Sequence, residues 1–136
     1  MNIPRNETAI VTGASSGIGA ATSIKLSLEG YDLLLLGRNL ENLKKTASLC
    51  KGSGKIEILN FDLKDVSQYK EQILNSLQKL AVPTLLVNNA GIYKPNNFAE
   101  SEISVWTEQF QINLFSAAEL TQIVWPLFVK NKKGSI

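Results

Sequence analysis

A chain of 136 residues with 44% hydrophobic and 19% charged residues has the composition of one soluble globular domain. The net charge of +2 is too balanced for a protein that binds nucleic acid or a membrane surface through a basic face. With one cysteine and no histidine, the sequence offers neither a disulfide nor a His/Cys metal site, and we expect a cytoplasmic protein without a membrane anchor.

Short apolar runs alternate along the chain with stretches of helical period, which is the pattern of β-α-β units in a parallel sheet. Strands are predicted at 9–12, 32–37, 55–61 and 82–88. The first helix begins near Gly17 and ends before Gly30, the second is capped by Asn39, and the third starts at Asp65. The residues predicted to face the core from these three helices are Ile18, Ala21, Ile24, Leu28, Leu40, Leu43, Ala47, Cys50, Val66, Tyr69, Ile73, Leu77 and Leu80.

A loop at 91–99 precedes a long helical stretch at 101–129, in which Pro126 is expected to cause a kink because it lacks a backbone N–H. The apolar side of this helix consists of Trp106, Phe110, Leu114, Ala117, Leu120, Val124 and Phe128. No repeat or linker divides the chain, so residues 1–136 are interpreted as a single domain or part of one.

The sequence GASSGIG between the first strand and the first helix predicts an anion site. Backbone N–H groups meet there at the positive end of the helix dipole. Gly13 permits the turn, Gly17 lets the backbone approach a pyrophosphate, and Gly19 lets the helix pack on the sheet. The spacing excludes a P-loop, because no lysine follows the last glycine directly. A glycine-rich stretch by itself can also be only a turn.

The second strand ends in Gly37 and Arg38, where a dinucleotide fold that binds NAD places a carboxylate. A guanidinium suits a 2′-phosphate instead, so we favour NADP over NAD. The alternative is that Arg38 is a solvated residue at a strand end. A methyltransferase of similar fold is expected to place an acid here for its own ribose, so Gly37 weakens the interpretation of the chain as a methyltransferase.

Four motifs in order, TGASSGIG, LLLLGRN, FDL and VNNAG, together resemble the short-chain dehydrogenase/reductase family, and INL and GSI near the C-terminus add to the likeness. The resemblance implies a doubly wound parallel Rossmann sheet of order 3-2-1-4, in which GSI starts a fifth strand. It also implies that Thr12 ties the fourth strand to the glycine loop. The candidate cofactor-binding residues are Gly13, Ser15, Ser16, Gly17, Ile18, Gly19, Arg38, Asn39, Asp62, Leu63, Asn89, Ala90 and Gly91.

Asn113 matches the catalytic asparagine of the family, which holds a water in a proton relay. Without the family, a polar residue here would be a satisfied buried group or a helix irregularity. The family's catalytic serine and YxxxK motif cannot be placed, because Tyr31, Tyr69 and Tyr93 are each followed at the fourth position by a residue other than lysine. We therefore expect a domain truncated before its catalytic segment.

The implied function is the NADP(H)-binding half of an oxidoreductase that transfers hydride to or from a small carbonyl or alcohol substrate. The alternative is an inactive dinucleotide-binding or dimerisation module. The long helix around Trp106 to Phe128 resembles the one through which family members commonly form homo-oligomers.

Overall fold

The structure is a computed structural model that describes residues 4–136. Four parallel strands form one sheet in the order β3-β2-β1-β4, which confirms the predicted fold class and strand order. The strands are β1 (Glu7–Thr12), β2 (Asp32–Gly37), β3 (Ile56–Asn60) and β4 (Val82–Val87). The α-helices are α1 (Gly17–Leu28), α2 (Leu40–Leu49), α3 (Lys70–Gln78), α4 (Ile103–Phe110) and α5 (Ser116–Asn131).

The two central strands are apolar on both faces because both faces of the sheet are covered by helices. Leu34 and Leu36 of β2 belong to a core cluster with α3 and α5, whereas Leu33 and Leu35 pack in a second cluster with Leu43 of α2. All four leucines are fully buried. Cys50, which caps the C-terminus of α2, is only half-buried beside the second cluster, and burial raises the pKa of its thiol.

The outer edge of β4 pairs with the segment at the C-terminal end of the chain. Ser135 forms a parallel bridge with Leu85, accepting a hydrogen bond from the amide of Leu86 at 3.0 Å and donating one to the carbonyl of Thr84 at 3.0 Å. This is the position of a fifth strand next to β4, as the sequence predicts. The sheet therefore begins to extend beyond β4 at this point.

The buried face of α1 differs from the predicted one. Ile18 and Leu28 are 77% and 47% exposed, and the residues that α1 buries are Gly19, Ser23 and Ser27. These small residues recur every fourth position and bring the helix close to the sheet. The prediction was wrong because it followed apolar side chains, while the close contact requires small ones.

The third helix starts later than predicted. Residues Leu63–Tyr69 form a 3₁₀ segment in which Asp65 has a non-helical backbone, and α3 follows from Lys70. Asp62, rather than Asp65, caps this segment by accepting a hydrogen bond from the amide of Lys64. In contrast, the predicted cap of α2 is confirmed, since the Asn39 side chain accepts from the amide of Asn42 at 2.9 Å.

The long helical stretch is not one regular helix. A π-helical turn, Gln111–Phe115, separates α4 from α5, and α5 continues through Pro126 to Asn131. The π turn shifts the phase of the apolar stripe. The members of the stripe in α5, Leu120, Val124 and Phe128, are therefore in the core, whereas Trp106, Phe110 and Leu114 are 40–52% exposed. The apolar side named from the sequence is therefore buried in the C-terminal half of the stretch and partly exposed in its N-terminal half.

By length and composition alone, residues 103–131 are apolar enough to cross a membrane. Core helices of soluble proteins pass the same test, and the inner face of α5 packs on the sheet.

Candidate functional site

The carboxyl ends of all four strands open into one cleft of about 800 Å³. Ligands of doubly wound folds bind in such a crevice. Its walls come from the loop after β1, the end of β2, the segment after β3 and the loop after β4. The lining residues are Gly13, Ser15, Ser16, Gly17, Ile18, Gly37, Arg38, Asn39, Asp62, Leu63, Asn89, Ala90, Gly91, Ile92 and Ile112.

The N-terminus of α1 points its free backbone donors into this cleft. The first intrahelical bond runs from the amide of Ala20 to the carbonyl of Ser16, and the Ser16 side chain makes no capping bond to any residue among 4–136. Gly17 has a φ of +52°, and a Cβ there would meet open space. The amides at the start of α1 are thus left for an anion, and the dipole of the helix favours one.

Gly19 lies beneath the cleft and sets how closely α1 approaches the loop. A Cβ at this position would lie 2.2 Å from the carbonyl oxygen of Gly13 and 2.6 Å from Nδ2 of Asn89. Only glycine therefore allows this packing. Gly13, Gly17 and Gly91 line the cleft as predicted, whereas Gly19 does not.

Thr12 and Asn89 tie the glycine loop to the loop after β4. The Thr12 hydroxyl accepts hydrogen bonds from the amides of Asn89 and Ala90, both at 3.0 Å, and donates to the carbonyl of Val87 at 3.3 Å. In return, Nδ2 of Asn89 donates to the carbonyl of Thr12 at 3.0 Å. The Asn89 side chain thus connects the loop after β4 to the start of the glycine loop.

The backbone of the glycine loop is also held from α2. Oγ1 of Thr46, a buried residue, donates to the carbonyl of Ala14 at 2.9 Å, and the amide of Ala14 donates to the carbonyl of Leu36 at 3.1 Å. Both polar groups of Ala14 are satisfied in this way, which fixes the turn that presents Ser15.

At the end of β2, Gly37 lies against Leu43 of α2 and Ser15 of the glycine loop. A Cβ there would lie 3.3 Å from Cδ2 of Leu43 and 3.5 Å from Oγ of Ser15. Arg38 follows with its side chain 63% exposed, and its carbonyl accepts from Nδ2 of Asn60 at 2.6 Å. The main chain of Arg38 is therefore anchored, and the residue lines the cleft.

The acidic residue of the cleft, Asp62, lies next to two cations. Its Oδ2 is 3.9 Å from Nη1 of Arg38 and 3.7 Å from Nζ of Lys64. Its Oδ1 accepts from the amide of Lys64 at 3.1 Å. Leu63 beside it is buried and packs with the core of the α3 and α5 side.

Asn113 stands in the π turn and binds the main chain of Ile92 with both amide atoms. Its Oδ1 accepts from the amide of Ile92 at 2.7 Å, and its Nδ2 donates to the carbonyl of Ile92 at 2.8 Å. Each amide atom keeps one further lone pair or N–H. Asn113 thus orients Ile92, which lines the cleft. Of the two alternatives considered without the family, the helix irregularity is present as the π turn, whereas Asn113 is exposed and not buried.

The structure brings twelve of the thirteen predicted cofactor residues to the cleft wall, with Gly19 beneath it. Sequence reasoning missed Ile92 and Ile112, although each directly follows or precedes a recognised motif residue. Thr46 was missed as well, and no sequence signal distinguishes it from other polar residues of α2.

Residues 7–136 match the short chain dehydrogenase family. The chain is 31% identical over 131 residues to dehydrogenase/reductase SDR family member 7 of Mus musculus, covering 93% of this chain and 39% of that protein. It is 32% identical over 128 residues to the 3-oxoacyl-(acyl-carrier-protein) reductase FabG of Thermotoga maritima, covering 93% and 52%.

Among solved structures, a metagenomic short-chain oxidoreductase in complex with NADP is similar, with a TM-score of 0.87 and 27% identity. The similarity covers 96% of this chain and 60% of that one. The chain spans about two fifths to one half of the length of the two curated relatives.

Proposed function

The chain belongs to the short-chain dehydrogenase/reductase family, and on that premise we propose that its cleft binds NADP(H) for hydride transfer to or from a carbonyl or alcohol substrate. The observation that carries the proposal is the position of Arg38. Arg38 lines the cleft at the end of β2, directly after a glycine and not an acid, and its guanidinium lies 3.9 Å from the carboxylate of Asp62.

A guanidinium offers several N–H donors in one plane and binds a phosphate through two of them at once. The amides at the start of α1 supply the site for the pyrophosphate in the same cleft. The structural relative in complex with NADP supports this choice of cofactor. We therefore favour NADP over NAD.

When bound, the nicotinamide cofactor supplies or accepts the hydride. The residues of this chain bind and orient it: the loop and α1 hold the pyrophosphate, Asp62 and Leu63 hold the adenine, and Asn89 to Gly91 line the nicotinamide side. We propose that Asn113 holds a water in a proton relay, as the asparagine of the family does. Asn113 also orients Ile92 through its two hydrogen bonds to the main chain of that residue. Since no tyrosine in this sequence precedes a lysine by four residues, a family-type proton donor has to come from outside these residues.

The test is a titration of NADP⁺ and NAD⁺ into the wild-type chain and Arg38→Ala. A hydrogen bond to a charged partner contributes about 1.5–3 kcal/mol, so the variant should bind NADP⁺ roughly ten- to a hundredfold more weakly and NAD⁺ almost unchanged. Arg5→Ala is the matched control, because Arg5 lies before β1, at the opposite end of the sheet, and pairs with Glu7. Equal losses for both cofactors in Arg38→Ala would contradict the proposal.

A second candidate function is a dinucleotide-binding module that assembles through its long helix without turnover. The exposed apolar side chains Trp106, Phe110 and Leu114, together with Trp125 at 56% exposure, favour an interface on this surface. We propose that two copies pair there. Sedimentation of Phe110→Gln should show a larger monomer fraction than that of the wild type, whereas Tyr93→Gln, an exposed aromatic outside the helix, should leave it unchanged. A monomeric wild-type chain would contradict this.

A further inference from the structure

Asp62 carries a negative charge next to Arg38, the residue to which the proposed function assigns the 2′-phosphate. A guanidinium nitrogen of Arg38 lies 3.9 Å from Oδ2 of Asp62, so an anion bound to Arg38 experiences the field of that carboxylate. The carboxylate also attracts Arg38 itself, in competition with any ligand phosphate. Without a compensating cation, Asp62 therefore weakens the binding of NADP by repelling its 2′-phosphate and by competing for Arg38. It has much less effect on the binding of NAD, which lacks that phosphate.

We infer that Lys64 is a specificity-determining residue of this cleft, which neutralises Asp62 and leaves Arg38 free for the 2′-phosphate. The inference rests on the NADP(H) function proposed above. The ammonium of Lys64 lies 3.7 Å from the same Oδ2 that faces Arg38. When Arg38 turns to a phosphate, Asp62 keeps one cation.

The position of Lys64 relative to Asp62 is set by the backbone. The amide of Lys64 donates to Oδ1 of Asp62, and Nε2 of Gln111 in the π turn donates to the carbonyl of Lys64 at 3.4 Å. Lys64 does not line the cleft, whereas Arg38 does. This arrangement suits a lysine that neutralises the Asp62 carboxylate from outside the cleft and does not bind the ligand itself.

The effect is modest and depends on salt, because the side chains of Lys64 and Asp62 are 52% and 25% exposed. An exposed ion pair adds little to folding stability. Its consequence is expected in the ratio of the NADP⁺ and NAD⁺ affinities. Lys64→Gln should lower this ratio about three- to tenfold at low ionic strength, and less at high salt.

The experiment is a double-variant cycle on the full chain, with Lys64→Gln, Asp62→Asn and the two combined. Using the affinity ratio cancels any loss of adenine contacts in Asp62→Asn, since both cofactors carry adenine. If Lys64 acts by compensating the carboxylate, Lys64→Gln lowers the ratio in the wild-type background and leaves it within twofold in the Asp62→Asn background. Lys79→Gln is the matched control, because Lys79 pairs with Glu57 away from the cleft.

A loss of the same size in both backgrounds would show that Lys64 contacts the phosphate itself and would overturn the inference. An unchanged ratio in Lys64→Gln, with the expected loss in Arg38→Ala, would also overturn it and leave the NADP(H) function standing. If the wild-type chain has no preference for NADP⁺ and Arg38→Ala does not change the ratio, the proposed function fails together with this inference.

Discussion

Thr12→Val removes one hydroxyl that joins the glycine loop to the loop after β4. Valine has nearly the same shape, so the change isolates the hydrogen bonds. The amides of Asn89 and Ala90 each lose an acceptor at 3.0 Å, and the carbonyl of Val87 loses a donor. Each buried amide left unpaired costs about 1–3 kcal/mol. The amide of Asn89 keeps an acceptor in the carbonyl of Val87 at 3.0 Å, so the amide left unpaired is that of Ala90. Because this amide is only partly buried, we expect the free energy of unfolding to fall by about 1–3 kcal/mol in total.

The matched control is Thr8→Val, at the other end of β1. Thr8 is fully buried, and its hydroxyl donates to the carbonyl of Ala81 at 2.7 Å. Losing it should cost about 1 kcal/mol, and the cleft lies at the opposite end of the strand. Thr12→Ser, which keeps the hydroxyl, should recover most of the stability lost in Thr12→Val.

Urea unfolding gives the stabilities, and titration with NADP⁺ under conditions where every variant is folded gives the affinities. Thr12→Val should bind NADP⁺ more weakly than Thr8→Val does, because Ala90 and Asn89 line the cleft. If Thr12→Val destabilises no more than Thr8→Val, or both bind NADP⁺ equally well, the assignment of Thr12 as the tie between the two loops is wrong.

Three further predictions concern the scaffold around the cleft. Gly19→Ala should destabilise the chain by about 2–4 kcal/mol in urea unfolding, since its Cβ would lie 2.2 Å from the carbonyl oxygen of Gly13, whereas the same change in an open helix stabilises by about 1 kcal/mol. Asp32→Ala should cost about 2–4 kcal/mol in the same assay, because the carboxylate accepts from the amides of Lys55 at 2.7 Å and Ala81 at 2.8 Å; a loss below 1 kcal/mol would contradict this. The ammonium of Lys133, followed by Arg5 and Thr84, holds the pKa of the Glu7 carboxyl below its ordinary value. The stability that Glu7 contributes is therefore present above about pH 4.3 and is lost as the pH falls through the lowered folded value, so the unfolding free energy of Glu7→Gln, measured from pH 7 to pH 3, should decline less steeply than that of the wild type.

The sequence alone was sufficient to predict the sheet and most of the residues that line the cleft. Strands buried on both faces appear as continuous apolar runs, as in LLLL of β2, and right-handed crossovers leave few ways to order them. All parallel strands end at the same edge, so the residues that follow β1, β2, β3 and β4 necessarily meet there. The candidate cleft residues could be named from the sequence for that reason.

The tertiary structure alone decided which faces and which side-chain atoms are used. The buried face of α1 consists of Gly19, Ser23 and Ser27, because the distance between helix and sheet, and not hydropathy, selects small residues there. The π turn at Gln111–Phe115 moves Phe110 and Leu114 out of the core that Leu120 and Val124 occupy.

Apart from the Thr12 tie, which the family resemblance implies, the hydrogen bonds that hold the cleft together could not be predicted from the sequence. Asn113 and Thr46 bond to carbonyl or amide groups 21 and 32 residues away, and Lys64 shares the carboxylate of Asp62 with Arg38. The local sequence pattern predicts where a strand or helix begins and ends, because these boundaries depend on residues that are neighbours in the chain. Hydrogen bonds between distant segments depend on where the packed backbone leaves a donor or acceptor without a partner, and that is settled only when the whole domain is folded.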